Sequence, residues 1–189
     1  TAIVFDKTGT LTKGKPEVTD IVPFGFSENE VIKLASIAEK HSEHPLGEAI
    51  VNKAKSSKIT IPDADSFRAV PGMGVRAKYG KHAILLGNRK LMSENKIEIK
   101  KFEKAISSLE DECKTVMILA INKNLAGLIA VADTLKEYSK EAVDSLHKMG
   151  KEVVMITGDN KRTADAIAKK LGIDHVLAEV LPETKAAEI

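Results

Sequence analysis

The chain has 189 residues, room for one ordinary domain or two small ones. Hydrophobic residues supply 43% and charged residues 30%, which excludes a disordered chain; a net charge of +2 is too balanced for a protein whose main partner is nucleic acid. One cysteine, Cys113, excludes an intramolecular disulfide and suits a reducing compartment. The basic runs at 53–58 and 100–104 carry helical spacing or interleaved acids and read as solvated faces. The most apolar stretch, 116–132, is interrupted by Asn122-Lys123-Asn124 and reads as two strands, not a membrane span. The chain opens without Met in a β-like run and closes in what reads as the first turns of a helix. Both ends are expected to continue into something larger.

In chain order, residues 1–5 form a short apolar strand that ends at Asp6. Ser27-x-x-Glu30 is a capping box, followed by Val31, Leu34, Ala35 and Ala38 at helical spacing. Pro45 suits the first position of a second helix, with Leu46, Ala49 and Ile50 inward. A strand at 67–70 is broken by Gly72-Met73-Gly74. A hairpin follows, 75–79 with 82–86, and Gly87-Asn88 ends it. Ile99, Phe102, Ala105, Ile106 and Leu109 mark one helix, and 116–121 with 125–131 a second hairpin. Tyr138, Ala142, Val143 and Leu146 mark a helix stopped by Gly150. Residues 153–156, wholly apolar, fit a buried parallel strand. Ala164, Ile167, Ala168 and Leu171 give a helix stopped by Gly172, and 176–178 is a further strand. This alternation is a doubly wound α/β layer to which the opening strand belongs. The expected division is therefore 1–19 with 132–189 as one domain, and 20–131 as an inserted α+β domain with an antiparallel sheet.

In open parallel sheets the chemistry sits off the carboxyl ends of the strands. Asp6 lies at one such end, and Thr157-Gly158-Asp159 at another. Lys185 follows the 176–178 strand by a short loop. A strand-end aspartate can act as a nucleophile that forms an acyl phosphate. Two unit charges about 4 Å apart repel by about 4 kcal/mol at an effective dielectric near 20, so cations must accompany such an attack. Lys7 or Lys185 can supply one, and Mg²⁺ bridging carboxylate and phosphate another. Thr8, Gly9, Thr157 and Gly158 offer hydroxyl and backbone N–H donors. Taken alone, Asp6 would be a turn residue or helix cap.

The whole run Asp6-Lys7-Thr8-Gly9-Thr10-Leu11-Thr12, with Thr157-Gly158-Asp159 downstream, reverses that reading. It resembles the phosphorylation signature of the P-type ATPases. The resemblance implies a haloacid-dehalogenase-like phosphorylation domain in which Asp6 accepts the γ-phosphoryl group of ATP. It further implies that Asp6 and the carbonyl of Thr8 help hold Mg²⁺, that Thr157 and Lys185 contact phosphate, and that Asp159 lines the nucleotide site. Soluble phosphatases of this fold usually carry a second aspartate two residues after the nucleophile. Here that position is Thr8, which cannot readily move a proton at neutral pH, so an acyl phosphate on Asp6 should persist. Persistence favours a pump.

Ser42-Glu43-His44-Pro45 resembles the signature of the heavy-metal-transporting branch of those ATPases. By itself His44 would be a cap, Glu39 a surface acid and Gly72 and Gly74 a turn; a metal pair of His41 and His44 has no further clustered ligand behind it. The resemblance implies instead that Glu39 and His44 belong to the ATP site, with Gly72, Gly74, Gly87 and Asn88 around the nucleotide and Val75 beside the adenine. Missing side chains at the glycines would let backbone approach a flat ring. No Walker A pattern occurs.

The expected whole is a cytoplasmic catalytic fragment of an integral membrane protein that exports a heavy metal, with copper the leaning and zinc or cadmium the near alternative. Its partners would be ATP and the transmembrane and actuator domains of the same polypeptide, with no nucleic acid. The transported metal would not bind this fragment. The family's further Gly-Asp-Gly-x-Asn-Asp element, which completes the Mg²⁺ site, is not in the sequence. These residues are therefore expected to bind ATP with little or no turnover. The rival classes are a capped soluble phosphatase and a nucleotide sensor without chemistry.

Overall fold

A computed structural model describes residues 2–180 of the chain. Strand β1 (Ala2–Asp6) leads through a coiled loop into a long strand β2 (Thr12–Pro23), then helices α1 (Glu28–Glu39) and α2 (Pro45–Ser56). Strands β3 (Ser66–Val70), β4 (Gly74–Tyr79) and β5 (His82–Gly87) precede a short helix α3 (Arg89–Glu94) and helix α4 (Glu103–Asp111). Strands β6 (Thr115–Ile121) and β7 (Asn124–Leu135), helix α5 (Ser139–Lys148), strand β8 (Glu152–Ile156), helix α6 (Lys161–Leu171) and strand β9 (His175–Leu177) complete it. The fold is mixed α/β, with one parallel and one largely antiparallel sheet.

The chain divides into two compact units: residues up to Lys15, Ser107–Thr115 and those from Asp133 onward form the first, Pro16–Ile106 and Val116–Ala132 the second. The sequence pattern sets the boundaries at 19/20 and 131/132; the observed ones fall at 15/16 and 132/133, and Ser107–Thr115 packs with the first unit.

In the first unit three parallel strands run in the order β1-β8-β9. The sheet grows in one direction, and right-handed crossovers then place successive helices on one side. Helices α5 and α6 accordingly touch each other. Met155, Ala164, Ile167, Ala168 and Leu171 are buried together with Leu11. Gly172 ends α6 in the left-handed conformation at φ +79°, which a Cβ would oppose.

In the second unit the strands follow the order β2-β7-β6-β5-β4-β3. Helices α1 and α2 bury Val31, Ile32, Ala35, Ile37 and Ile50 against Val75, Ile84, Leu86 and Leu119. The capping box closes on α1: Ser27 Oγ accepts from Glu30 N–H at 3.3 Å, and Ser27 N–H donates to Glu30 Oε2 at 2.8 Å.

Three details depart from the sequence reading. Tyr138, expected on the helix face, is the residue before α5 and is 65% exposed. Ser139 takes the inward place because its hydroxyl donates to the Leu11 carbonyl at 2.8 Å. Asn88 starts α3, a helix the pattern did not show, by accepting from Leu91 N–H at 3.1 Å. The helix expected from 99 opens instead as a single 3₁₀ turn, Lys100–Phe102.

Candidate active site

Asp6 closes β1 opposite Ile156, the last residue of β8. Thr157 continues from β8, and its N–H donates to the Leu177 carbonyl at the end of β9, at 2.9 Å. Parallel pairing therefore delivers Asp6 and the 157–159 turn to one edge of one sheet. Asp6 is half-buried, and its Oδ1 accepts from Thr8 N–H at 3.3 Å.

Residues 7–11 coil in a wide turn in which Thr8 is extended and Gly9 is left-handed at φ +77°. This geometry leaves Thr8 and Gly9 exposed while burying Lys7 and Leu11. The turn is pinned by residues the sequence reading did not single out. Thr12 Oγ1 donates to Asp133 Oδ2 at 2.5 Å and accepts from Gly9 N–H at 3.2 Å. Lys136 Nζ donates to the Gly9 carbonyl at 2.7 Å. Polar residues directly after the apolar run 125–132 were the available signal for Asp133 and Lys136.

Lys7 points inward to Asp159, Nζ to Oδ2 at 2.7 Å, with both side chains 10% exposed. Thr157 Oγ1 donates to the same carboxylate at 3.1 Å, and Thr115 Oγ1 to Oδ1 at 2.8 Å. Burial pushes the Asp159 carboxyl up. The Lys7 ammonium and hydrogen bonds from Lys7, Thr115 and Thr157 outweigh it, so the group sits below the ordinary aspartate value. Lys7 and Asp159 are thus one ion pair beside Asp6, not two separate groups. Gly158 is exposed, and a Cβ there would meet only the Val180 carbonyl at 3.4 Å. Packing among the described residues does not demand glycine at that position. Lys185 lies outside the described residues.

The Asp6 carboxylate and Thr8 carbonyl are hard oxygen donors on one exposed turn. That donor set fits Mg²⁺, which keeps several waters and takes substrate phosphate rather than needing a protein cage. Among the described residues, no three His, Cys, Asp or Glu side chains cluster as a metal site.

In the second unit, Glu39 ends α1 and is 3% exposed, and its Oε2 has no hydrogen-bond partner among the described residues. Burial raises its pKa, offset in part by a hydrogen bond from Ser42. A Cβ on Gly47 would lie within contact distance of Glu39 Oε2 and 3.1 Å from Cδ, so the carboxylate occupies the room that glycine leaves. His44 caps α2: its Nδ1 accepts from Leu46 N–H at 3.2 Å, which places the proton of the neutral ring on Nε2.

The glycines have a different setting. Gly74 and Gly87 face each other across β4 and β5. A Cβ on Gly74 would come within 2.5 Å of Gly87 Cα and closer still to the Leu86 carbonyl; one on Gly87 would strike the Met73 carbonyl. Protein backbone already fills the space these residues vacate. Gly72 turns the chain at φ +68°, and its carbonyl accepts from Asn88 Nδ2 at 2.9 Å. Val75 is 4% exposed and belongs to the core.

The chain matches the haloacid dehalogenase-like hydrolase family across residues 1–189. It belongs to that family. Among curated relatives of this haloacid dehalogenase-like chain, a copper-exporting P-type ATPase of Staphylococcus aureus (strain JH9) is 52% identical over 188 residues, covering 99% of this chain. The chain spans 23% of that relative's length. Among solved structures, a zinc-transporting PIB-type ATPase is 39% identical with a TM-score of 0.68, covering 100% of this chain and 30% of that one. The catalytic domain of a CPx-ATPase is 25% identical with a TM-score of 0.72, covering 100% of this chain and 64% of that one. The isolated N-domain of a copper-transporting P-type ATPase is 29% identical with a TM-score of 0.54, covering 60% of this chain and 98% of that one.

Proposed function

We propose that this chain is the ATP-binding and aspartyl-phosphorylation part of a heavy-metal-exporting P-type ATPase, with copper as the exported ion. The observation that carries the reading is the strand edge where Asp6 stands beside the 157–159 turn and the buried Lys7–Asp159 pair. The first unit is the phosphorylation domain, with the parallel strands β1, β8 and β9 in its sheet. The second, inserted between Lys15 and Asp133 apart from the return of Ser107–Thr115, is the nucleotide-binding domain. Its likeness to an isolated N-domain supports that assignment. Identity of 52% to a copper exporter over 99% of the chain supports copper.

In this reading Glu39 Oε2 accepts from the adenine amino group, which gives a buried orphan acceptor its partner. His44, with its proton on Nε2, orients that carboxylate and the ring. Gly72, Gly74, Val75, Gly87 and Asn88 shape the wall around the nucleotide, Gly74 and Gly87 through backbone packing. The γ-phosphate meets Asp6 and the 157–159 turn, where exposed Gly158 lacks a side chain and permits close approach; Thr157 is 1% exposed, with its N–H on Leu177 and its hydroxyl on Asp159, and bears on the phosphate through that turn. An Asp6 oxygen forms a bond to phosphorus as the bond to the β–γ bridging oxygen breaks, and ADP leaves with the electron pair. Lys7, fixed by Asp159, brings positive charge to that carboxylate edge, and Lys185 supplies a second cation to the phosphate. Asp6 and the Thr8 carbonyl would hold Mg²⁺, which supplies neutralisation of the charge shared by carboxylate and phosphate. Thr8 offers no general base, so the acyl phosphate persists. Energy coupling uses that persistence.

Among the described residues no helix is long and apolar enough to cross a membrane. The chain faces the cytoplasm, and the transmembrane and actuator domains of the same polypeptide are its working partners. ATP binds this piece, the exported metal does not, and nucleic acid is no partner.

Incubating the full-length transporter with γ-labelled ATP and Mg²⁺ tests the reading. Acid-stable label on the protein, absent in Asp6→Asn, is expected. Label that survives Asp6→Asn, or rapid hydrolysis of simple phosphate monoesters by the wild type, would overturn it in favour of another acceptor or a soluble phosphatase.

A further inference from the structure

Thr115 stands outside both signatures, yet its hydroxyl reaches the phosphorylation edge. It is the first residue of β6, half-buried, and donates to Asp159 Oδ1 at 2.8 Å. Oδ2 of the same carboxylate is taken by Lys7 at 2.7 Å and by Thr157 at 3.1 Å. Thr115 therefore holds the oxygen that Lys7 does not. A carboxylate held at one oxygen can still rotate about its last bond; one held at both cannot without losing a charge-assisted bond.

The chain carrying Thr115 is itself clamped to α6. Arg162 donates to Asp111 through Nε and one terminal nitrogen, each at 2.6 Å. Thr163 Oγ1, on a residue 1% exposed, donates to the Lys114 carbonyl at 2.8 Å. Asn160, which begins α6, accepts from Thr163 N–H at 3.1 Å. Thr115 is thus anchored to the same helix start that follows Asp159. The next residue, Val116, already belongs to the second unit.

We infer that Thr115 is a positioning residue for phosphoryl transfer: its hydroxyl fixes the Asp159 carboxylate so that Lys7 stays aimed along the Asp6 edge. The inference rests on Asp6 being the phosphoryl acceptor. It assigns a role in the first unit's chemistry to the residue at which the chain passes into the second unit.

The test uses the full-length transporter and compares Thr115→Val, which keeps the shape and loses the hydroxyl, with Thr115→Ser, which keeps the hydroxyl and loses the methyl. Losing a hydrogen bond to a charged group should slow single-turnover labelling from γ-labelled ATP by about 10- to 100-fold in Thr115→Val. The ATP concentration giving half-maximal rate should stay within about twofold, because the Thr115 hydroxyl is engaged on Asp159. Thr115→Ser should label at close to the wild-type rate. A merely structural residue would give the opposite order, with serine the worse of the two for loss of the β-branch, or equal damage in both. Wild-type labelling in Thr115→Val, or slow labelling in Thr115→Ser, overturns the inference. If Thr115→Val does not accumulate as folded protein, Thr115→Ala is the hydroxyl-free variant, and the same serine comparison decides. Absence of label in the wild type would instead defeat the acceptor assignment itself, so the two failures are distinguishable.

Discussion

Replacing Lys7 by methionine removes the cation from a pair that is 10% exposed on each side. At 2.7 Å and an effective dielectric near 20, the lost attraction is about 6 kcal/mol. Desolvation of both groups already offsets much of that in the wild type, and severing buried pairs costs about 3–5 kcal/mol in practice, chiefly because one charge is left stranded. Thr115 and Thr157 still donate to Asp159, which argues for the lower end, about 3 kcal/mol. That is roughly two orders of magnitude in an opening equilibrium. Native-state hydrogen exchange at Phe5 and Met155, register partners in β1 and β8, is the suitable assay. It reads local stability in the first unit without assuming that the two units unfold together. Asp159→Asn should cost a similar amount by stranding the ammonium. The double variant Lys7→Met with Asp159→Asn should cost less than the sum by at least about 2 kcal/mol, since neither charge is then left alone. All three variants should fail to form the acyl phosphate. Additive effects on exchange would refute the reasoning, because they would mean that the two side chains do not depend on each other.

Glu39→Met should weaken ATP binding by about tenfold or more while stabilising the second unit at neutral pH, since it removes a buried acceptor without a partner. The sign follows from burial: a carboxyl whose folded pKa is raised favours folding below its ordinary value and loses that contribution as pH rises through the folded pKa. Calorimetric melting should therefore show the advantage of Glu39→Met growing as pH climbs above the ordinary glutamate range, and an advantage that shrinks instead would contradict the assignment. Gly47→Ala should displace the Glu39 carboxylate and lower nucleotide affinity in isothermal titration with little change in the phosphorylation rate at saturating ATP, because the room for a Cβ is occupied by that carboxylate. Unchanged affinity would show that the carboxylate has no part in holding ATP.

Features that depend on near neighbours in the chain are legible in the sequence. Ser27 and Glu30 close a capping box three residues apart, His44 and Pro45 open α2, and Gly172 stops α6, each through groups within one helical turn. The strand-end placement of Asp6 follows from apolar run lengths and from the rule that parallel sheets work at their carboxyl edge. Contacts between distant residues are not legible. Thr12 meets Asp133 across 121 positions, and Thr115 meets Asp159 across 44, with no periodicity linking either pair. The return of Ser107–Thr115 to the first unit leaves no mark in composition. Gly74 and Gly87 show a subtler limit. Their lack of a side chain suggests access for a ring, whereas in the fold backbone packs against backbone at both. Tyr138 fits the helical spacing and still lies outside α5, because Ser139 reaches a carbonyl that the spacing cannot reveal.

The most direct measurement is chemical location of the phosphate. Reductive cleavage with tritiated borohydride converts an aspartyl phosphate into homoserine, and peptide sequencing of the full-length protein after brief exposure to ATP and Mg²⁺ then reads its position. Tritiated homoserine at position 6 is the predicted result. Tritium at any other residue, or none where acid-stable phosphate is present, would contradict the assignment of the β1 carboxylate as the phosphoryl acceptor.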